Sequence, residues 1–146
     1  MKKAVRAIVF KDNQLLVIKR TKFGKLYYTL PGGGVGMGES LEQALRREMQ
    51  EETGLSLGAV RPVFIEQAGA PYGTQYIYLM DYVDGEPRLD PHSDEASITA
   101  LGQNLYEPMW LPVSTLPEVP FLSPRLRQAL LSAIRQGFPA QVIEIV

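Results

Sequence analysis

The chain of 146 residues contains no cysteine. That excludes disulfides, thiolate metal sites and cysteine nucleophiles at once. It has a single histidine, His92, so side-chain catalysis is left mainly to carboxylates and any metal they hold. Charge of neither sign prevails: 15 Lys and Arg stand against 16 Asp and Glu, a net of −1. No polyanion-binding surface follows from such totals, and no nucleic-acid polymer is expected as a partner. Long apolar runs are also lacking. Stretches such as Leu15 to Ile18 are far too short to span a bilayer, and the N-terminal stretch has no signal-peptide core. A soluble, cytoplasmic protein without a membrane partner is expected. With 45% apolar residues and no repeat, linker or low-complexity segment, residues 1–146 read as one domain with a real core.

What is present is concentrated between Gly33 and Leu55. A glycine-rich loop feeds a helix whose start and stop are both marked. Ser40 is a good N-cap with Gln43 three residues on, a capping box, and Gly54 supplies the left-handed stop. Leu41, Ala44, Leu45 and Met49 repeat at helical spacing and form the inward stripe.

The acids of this helix lie where acids are costly. At about 100° per residue, Glu48 and Glu52 project close to the direction of Leu41, and Glu51 within about a quarter turn of it. They also sit at the negative end of the helix dipole. Two unit charges about 4 Å apart repel by roughly 4 kcal/mol at an effective dielectric near 20. Arg46 and Arg47 offset part of this, and a hard divalent cation bound by carboxylate oxygens would offset the rest. The alternative is solvated surface charge paired with the arginines, which is nearly neutral in energy.

The glycines at 32, 33, 34, 36 and 38 are followed by no Gly-Lys-Ser/Thr and contain no GxGxxG, so neither common nucleotide-loop motif is present. Their place between a strand and a capped helix instead suits close approach of backbone to a ligand, which makes Gly32 and Gly34 substrate-binding candidates. Glu39, just before the cap, either supports this loop or lies beside a metal.

Gly33, five residues, Glu39, seven residues, then Arg47-Glu48-Met49-Gln50-Glu51-Glu52-Thr53-Gly54-Leu55 match the Nudix box at every defined position, and Tyr28-Thr29-Leu30-Pro31-Gly32-Gly33 is like the aromatic lead-in that often precedes it. The chain resembles the Nudix hydrolase family of MutT-like nucleotide pyrophosphohydrolases. Gly36 departs from relatives that carry a glutamate there, a position the box leaves free. The resemblance implies an α/β (α+β) fold, an α/β/α sandwich with a mixed central β-sheet. It implies Mg²⁺, with Mn²⁺ as a substitute, and hydrolysis of a nucleoside diphosphate linked to another moiety. Homodimers are frequent in the family. Glu48, Glu51 and Glu52 become the catalytic and metal-binding candidates, with Gly33 beside the metal. Arg47 is expected to brace the carboxylates rather than touch substrate.

Elsewhere, Val5–Phe10 and Leu15–Lys19 read as a hairpin turning at Asp12-Asn13. Tyr27–Leu30 reads as a third strand. Val60–Ala68 and Gln75–Tyr82 read as two more. Arg20 lies at a strand end, either as a solvated basic edge or, as in similar proteins, facing substrate phosphates. Tyr28 and Tyr76 are the aromatic binding candidates; for Tyr76 the alternatives are packing on a core rim and stacking on a base or ribose. Asp90 to Glu95 reads as an acidic loop. Its Ser93, His92 and Asp94 are too close in sequence to face one another as a triad. In similar proteins an acid a few places before the tryptophan reaches the metal site, which suggests Glu107, with Glu95 as the alternative. A strand ends at Pro112, an irregular stretch follows, and Ser123-Pro124 opens a helix stopping before Gly137. Val142–Val146 is a candidate terminal strand. Three functions remain open: a nucleotide pyrophosphohydrolase, with ADP-ribose and nucleotide sugars among its substrates; a non-catalytic nucleotide-sensing domain; and a structural domain.

Overall fold

The computed structural model describes residues 2–145. Strands β1 (Lys3–Ile8), β5 (Gly32–Gly34), β6 (Ser56–Gln67), β7 (Thr74–Asp84) and β9 (Ile143–Ile145) make a mixed sheet in the order β5-β1-β7-β6-β9. A second, antiparallel sheet joins β2 (Phe10–Lys11), β3 (Gln14–Lys22), β4 (Lys25–Thr29) and β8 (Asn104–Pro112), with β3 paired to the other three. Helix α1 (Leu41–Glu52) follows the glycine stretch, α2 (Asp94–Ala100) precedes β8, and α3 (Pro124–Gln136) precedes β9.

The mixed sheet is buried on both faces because β1 alternates. Val5 and Ala7, with Val9 just past the strand, belong to one cluster with Ala44, Leu45 and Met49 of α1, while Ile8 belongs to the other with Leu126, Leu130 and Ala133 of α3. This is the expected sandwich, helix on either side of a mixed sheet. Each fully buried leucine, such as Leu45 or Leu130, contributes about 1.5–3 kcal/mol by leaving water.

Helix α1 has the expected ends. Ser40 and Gln43 exchange both capping-box hydrogen bonds, 3.1 and 2.8 Å. Gly54 has φ +66°, and its N–H and that of Thr53 both donate to the Met49 carbonyl.

Several boundaries differ from the expectation. The hairpin at Asp12-Asn13 is only two residue pairs deep, Phe10 with Leu15 and Lys11 with Gln14. Lys3–Ile8 instead enters the other sheet, antiparallel to β5 and parallel to β7. Part of the glycine stretch, Gly32–Gly34, is itself a strand. The acidic loop ends at a short helix, α2, capped by Ser93. The irregular stretch contains a 3-10 helix, Val113–Glu118. Val146, the end of the expected last strand, lies outside the described residues.

A candidate site where the first helix meets the glycine strand

Two glycines let α1 reach the sheet. A Cβ on Gly32, at φ +146°, would stand 1.9 Å from the Val5 carbonyl oxygen, so any other residue would push β5 off β1. A Cβ on Gly33 would stand 2.5–2.6 Å from the Glu48 carboxylate. The missing side chain is therefore the space Glu48 occupies.

Glu52 is 3% exposed, and its Oε1 accepts the Gly32 N–H at 2.6 Å. Burial pushes its carboxyl up to about 8, against the pull of the Gly32 N–H and Arg6. Glu48 is 7% exposed. Burial raises its pKa too, opposed by Arg47, which donates to Oε1 at 2.9 Å. Glu48 Oε2 is buried with no hydrogen-bond partner, and so is Glu95 Oε1. One oxygen each of Glu48, Glu51 and Glu95 lie within 4.8 Å of one another.

Unpartnered buried carboxylate oxygens are expensive, and crowding three acids compounds the cost. An oxygen-only donor set gathered this closely is what a hard divalent cation such as Mg²⁺ or Mn²⁺ requires. The residues fit the ion that the sequence implied. Of the expected three acids, Glu48 and Glu51 belong to this group. Glu52 is held by Gly32 beside it, and Glu95 supplies the third oxygen.

Arg47 braces the acids. It engages both oxygens of Glu39, at 2.7 and 2.9 Å, reaches Glu51 at 3.4 Å, and donates to the Gly34 carbonyl at 3.0 Å. Glu39 also accepts the Gly36 N–H at 2.6 Å, and these bonds hold its carboxyl down at about 2. Both Glu39 oxygens are thus engaged in supporting the loop. A Cβ on Gly36 would stand 2.7 Å from Glu39, so glycine suits this position here.

In front of the acids is a cleft of about 210 Å³, lined by Gly32, Gly33, Gly34, Glu52 and Glu95 and by the cations Lys2, Arg6 and Arg20. Arg20 lies over the Tyr106 ring, 3.7 Å from its centroid, with Tyr27 on its other side at 5.6 Å. Its Nε donates to the Leu105 carbonyl at 3.1 Å, and Asn104 holds Nη2. Arg6 went unremarked in the sequence. It donates to Gln75 at 3.0 Å and to the Leu30 carbonyl at 3.3 Å, and burial lowers its pKa against the attraction of Glu52 and Glu48. The signal was an arginine in phase with Ile8 inside an apolar strand.

Three candidates face elsewhere. The register pairs Arg20 with Tyr27 and Ile18 with Thr29. Tyr28 therefore points to the opposite face, where it packs on the α3-side core; Tyr27 takes the place beside Arg20. Tyr76 packs with the α1-side core and does not line the cleft. Glu107 is exposed opposite Lys19, one residue out of phase with Tyr106, so it turns away from the acids that Glu95 joins.

Residues 1–131 match the family model of the NUDIX domain. The chain belongs to the Nudix hydrolase family. It is 36% identical over 98 residues to an ADP-ribose pyrophosphatase of Methanocaldococcus jannaschii, covering 64% of this chain and 58% of that protein. It is 28% identical over 133 residues to the NAD-capped RNA hydrolase NudC of Vibrio atlanticus, covering 91% of this chain and 45% of that protein. The chain thus spans about half the length of these curated relatives. Among solved structures, an ADP-ribose pyrophosphatase from Streptococcus suis superposes with a TM-score of 0.65 at 20% identity, over 98% of this chain and 96% of that one. A MutT Nudix hydrolase from Burkholderia pseudomallei gives 0.63 at 23%, over 90% and 95%. These structural likenesses establish the Nudix fold.

Proposed function

We propose that this Nudix protein hydrolyses a nucleoside diphosphate linked to another moiety, using a divalent cation held by Glu48, Glu51 and Glu95. The observation that carries the reading is the cluster of Glu48, Glu51 and Glu95, one carboxylate oxygen of each within 4.8 Å of the others, in which Glu48 and Glu95 each also keep a buried oxygen without a hydrogen-bond partner, beside a cleft walled by arginines. What bound Mg²⁺ or Mn²⁺ supplies is neutralisation of phosphate charge and acidification of water. Arg6 and Arg20 bind and orient phosphate oxygens, and the tyrosines around Arg20 hold its guanidinium at the cleft wall. Glu52, fixed by the Gly32 N–H, orients the attacking water. Water adds to a phosphorus of the diphosphate and the anhydride P–O bond breaks. The products are a nucleoside monophosphate and a phosphorylated remainder, or pyrophosphate from a triphosphate.

A small-molecule nucleotide is the proposed substrate, in a soluble cytoplasmic protein. No helix among the described residues is long and apolar enough to cross a membrane. The ADP-ribose pyrophosphatase and NAD-capped RNA hydrolase relatives support a nucleotide-diphosphate substrate class. A panel of nucleoside triphosphates, ADP-ribose and nucleotide sugars, assayed with and without Mg²⁺ for product release and for binding, tests the reading. Mg²⁺-dependent release abolished in Glu52→Gln supports it. Binding without release from any of them makes the protein a sensing domain instead.

A further inference from the structure

Next to the cleft lies a second cavity, of about 230 Å³. Arg6, Thr29, Tyr72 and Gln75 line both, so the two are adjacent. This second cavity has room for a ring system. Leu30, Phe121, Leu122 and Leu126 give it largely apolar walls. In those walls sits a carboxylate that the proposed hydrolysis does not use, Glu66, at 2% exposure.

Glu66 is half satisfied. Ser123 Oγ donates to its Oε2 at 2.6 Å, and Arg125 Nη2 is 3.4 Å from the same oxygen. Both contacts fall on Oε2, which leaves Oε1 to accept from a guest. The neutral polar side chains around it are already engaged. Gln75 accepts from Arg6 and donates to the Tyr72 carbonyl, Thr29 donates to the Leu30 carbonyl, and Ser123 Oγ also accepts the Leu126 N–H. The cavity therefore offers apolar and aromatic walls with an acceptor set into them, beside two arginines, Arg6 and Arg125, that already donate to Gln75 and the Leu30 carbonyl and to the Gln67 carbonyl.

We propose that this cavity seats the base of the nucleotide whose phosphates lie in the cleft, and that Glu66 selects a base of the guanine class. The inference rests on reading the cleft as the diphosphate site. A carboxylate only accepts. Guanine presents two adjacent donors, N1–H and the 2-amino group. Adenine and cytosine place a ring-nitrogen lone pair beside their amino group, and uracil flanks its N3–H with two carbonyls. Turning such a lone pair on the carboxylate leaves a buried acceptor unpaired, which is how polar pockets discriminate strongly.

Calorimetric binding of GMP, IMP, 1-methyl-GMP, AMP and UMP to the whole chain tests this without turnover. Hydrogen bonds to a charged group set the expected size: GMP binds about ten- to a hundredfold more tightly than IMP, which lacks the 2-amino group, or 1-methyl-GMP, in which N1 is blocked. In Glu66→Gln the GMP-over-IMP preference shrinks to within about threefold. Equal binding of GMP and IMP by the wild type, no binding of GMP, or a preference retained in folded Glu66→Gln overturns the proposal. Should that variant not fold, because Glu66 holds the cap of α3, the ligand series on the wild type decides alone. Base preference without hydrolysis would sink the hydrolase reading and leave this one standing; hydrolysis without base preference does the reverse.

Discussion

Arg47 grips Glu39 through two parallel N–H···O contacts, Nε to Oε2 at 2.7 Å and Nη2 to Oε1 at 2.9 Å. Its remaining nitrogen, Nη1, reaches Glu48 at 2.9 Å. One guanidinium thus ties the glycine loop to the acids of α1. The fork also raises the pKa of Arg47, so this brace stays charged throughout the working pH range.

Arg47→Lys is expected to lower Mg²⁺ affinity and turnover together, by about ten- to a hundredfold, the usual cost of losing a group that orients metal ligands. Lysine keeps the charge but cannot bind Glu39 with two parallel bonds while a third reaches Glu48. A Mg²⁺ titration of thermal stability beside steady-state kinetics checks it. Unchanged Mg²⁺ affinity would mean that the brace serves folding only.

Glu95 and Glu107 separate cleanly. Glu95→Gln removes a converging oxygen and is expected to weaken Mg²⁺ binding by about tenfold or more. Glu107→Gln alters an exposed residue across from Lys19, where surface pairs contribute about 0–1 kcal/mol, and should leave Mg²⁺ binding within about twofold. Calorimetric Mg²⁺ titration of both variants decides between them. A large loss in Glu107→Gln alone would reverse the assignment.

Adjacent glycines are expected to fail differently. In Gly32→Ala the new methyl meets the Val5 carbonyl, backbone that cannot yield without unpairing β5 from β1. A loss of about 2–3 kcal/mol in denaturant unfolding is expected. In Gly33→Ala it meets the Glu48 carboxylate, a side chain that can swing away. That variant should keep most of its stability and lose Mg²⁺ affinity. Equal stability losses in the two would show that Gly33 also serves the sheet.

These contrasts mark what could be read from the sequence. The ends of α1 were legible because capping is local: Ser40, Gln43 and Gly54 act within a turn of themselves. The crowding of Glu48 and Glu51 was legible because helical phase is fixed by counting. Strand partners and faces are set by distant residues, so the sequence points to Tyr28 where the β3–β4 register presents Tyr27. Arg6 is not legible in the sequence because its role appears only once Gly32 is paired opposite it. The seven residues of α2 have no buried stripe to announce a helix, so from sequence Glu95 reads as part of a loop.

In metal-free protein, Glu52 couples the site to pH. Its folded pKa of about 8 stands above the model-peptide 4.5, so the folded state holds this proton more tightly than the unfolded one. The stabilisation is complete below the unfolded value and is lost as pH rises through the folded one. Glu48 shifts in the same direction, also because it is buried. Glu39 runs oppositely, but its stabilisation is lost only as pH falls from 4.5 toward about 2. Between about pH 5 and about pH 9, in chelator, the melting temperature is therefore expected to fall, and Glu52→Gln should flatten the curve. Added Mg²⁺ favours the ionised acids, so its stabilising shift should be larger at the alkaline end. Thermal unfolding across this range, with chelator and then with Mg²⁺, measures both slopes; a Mg²⁺ shift that does not grow with pH would show that proton release from these acids is not linked to metal binding.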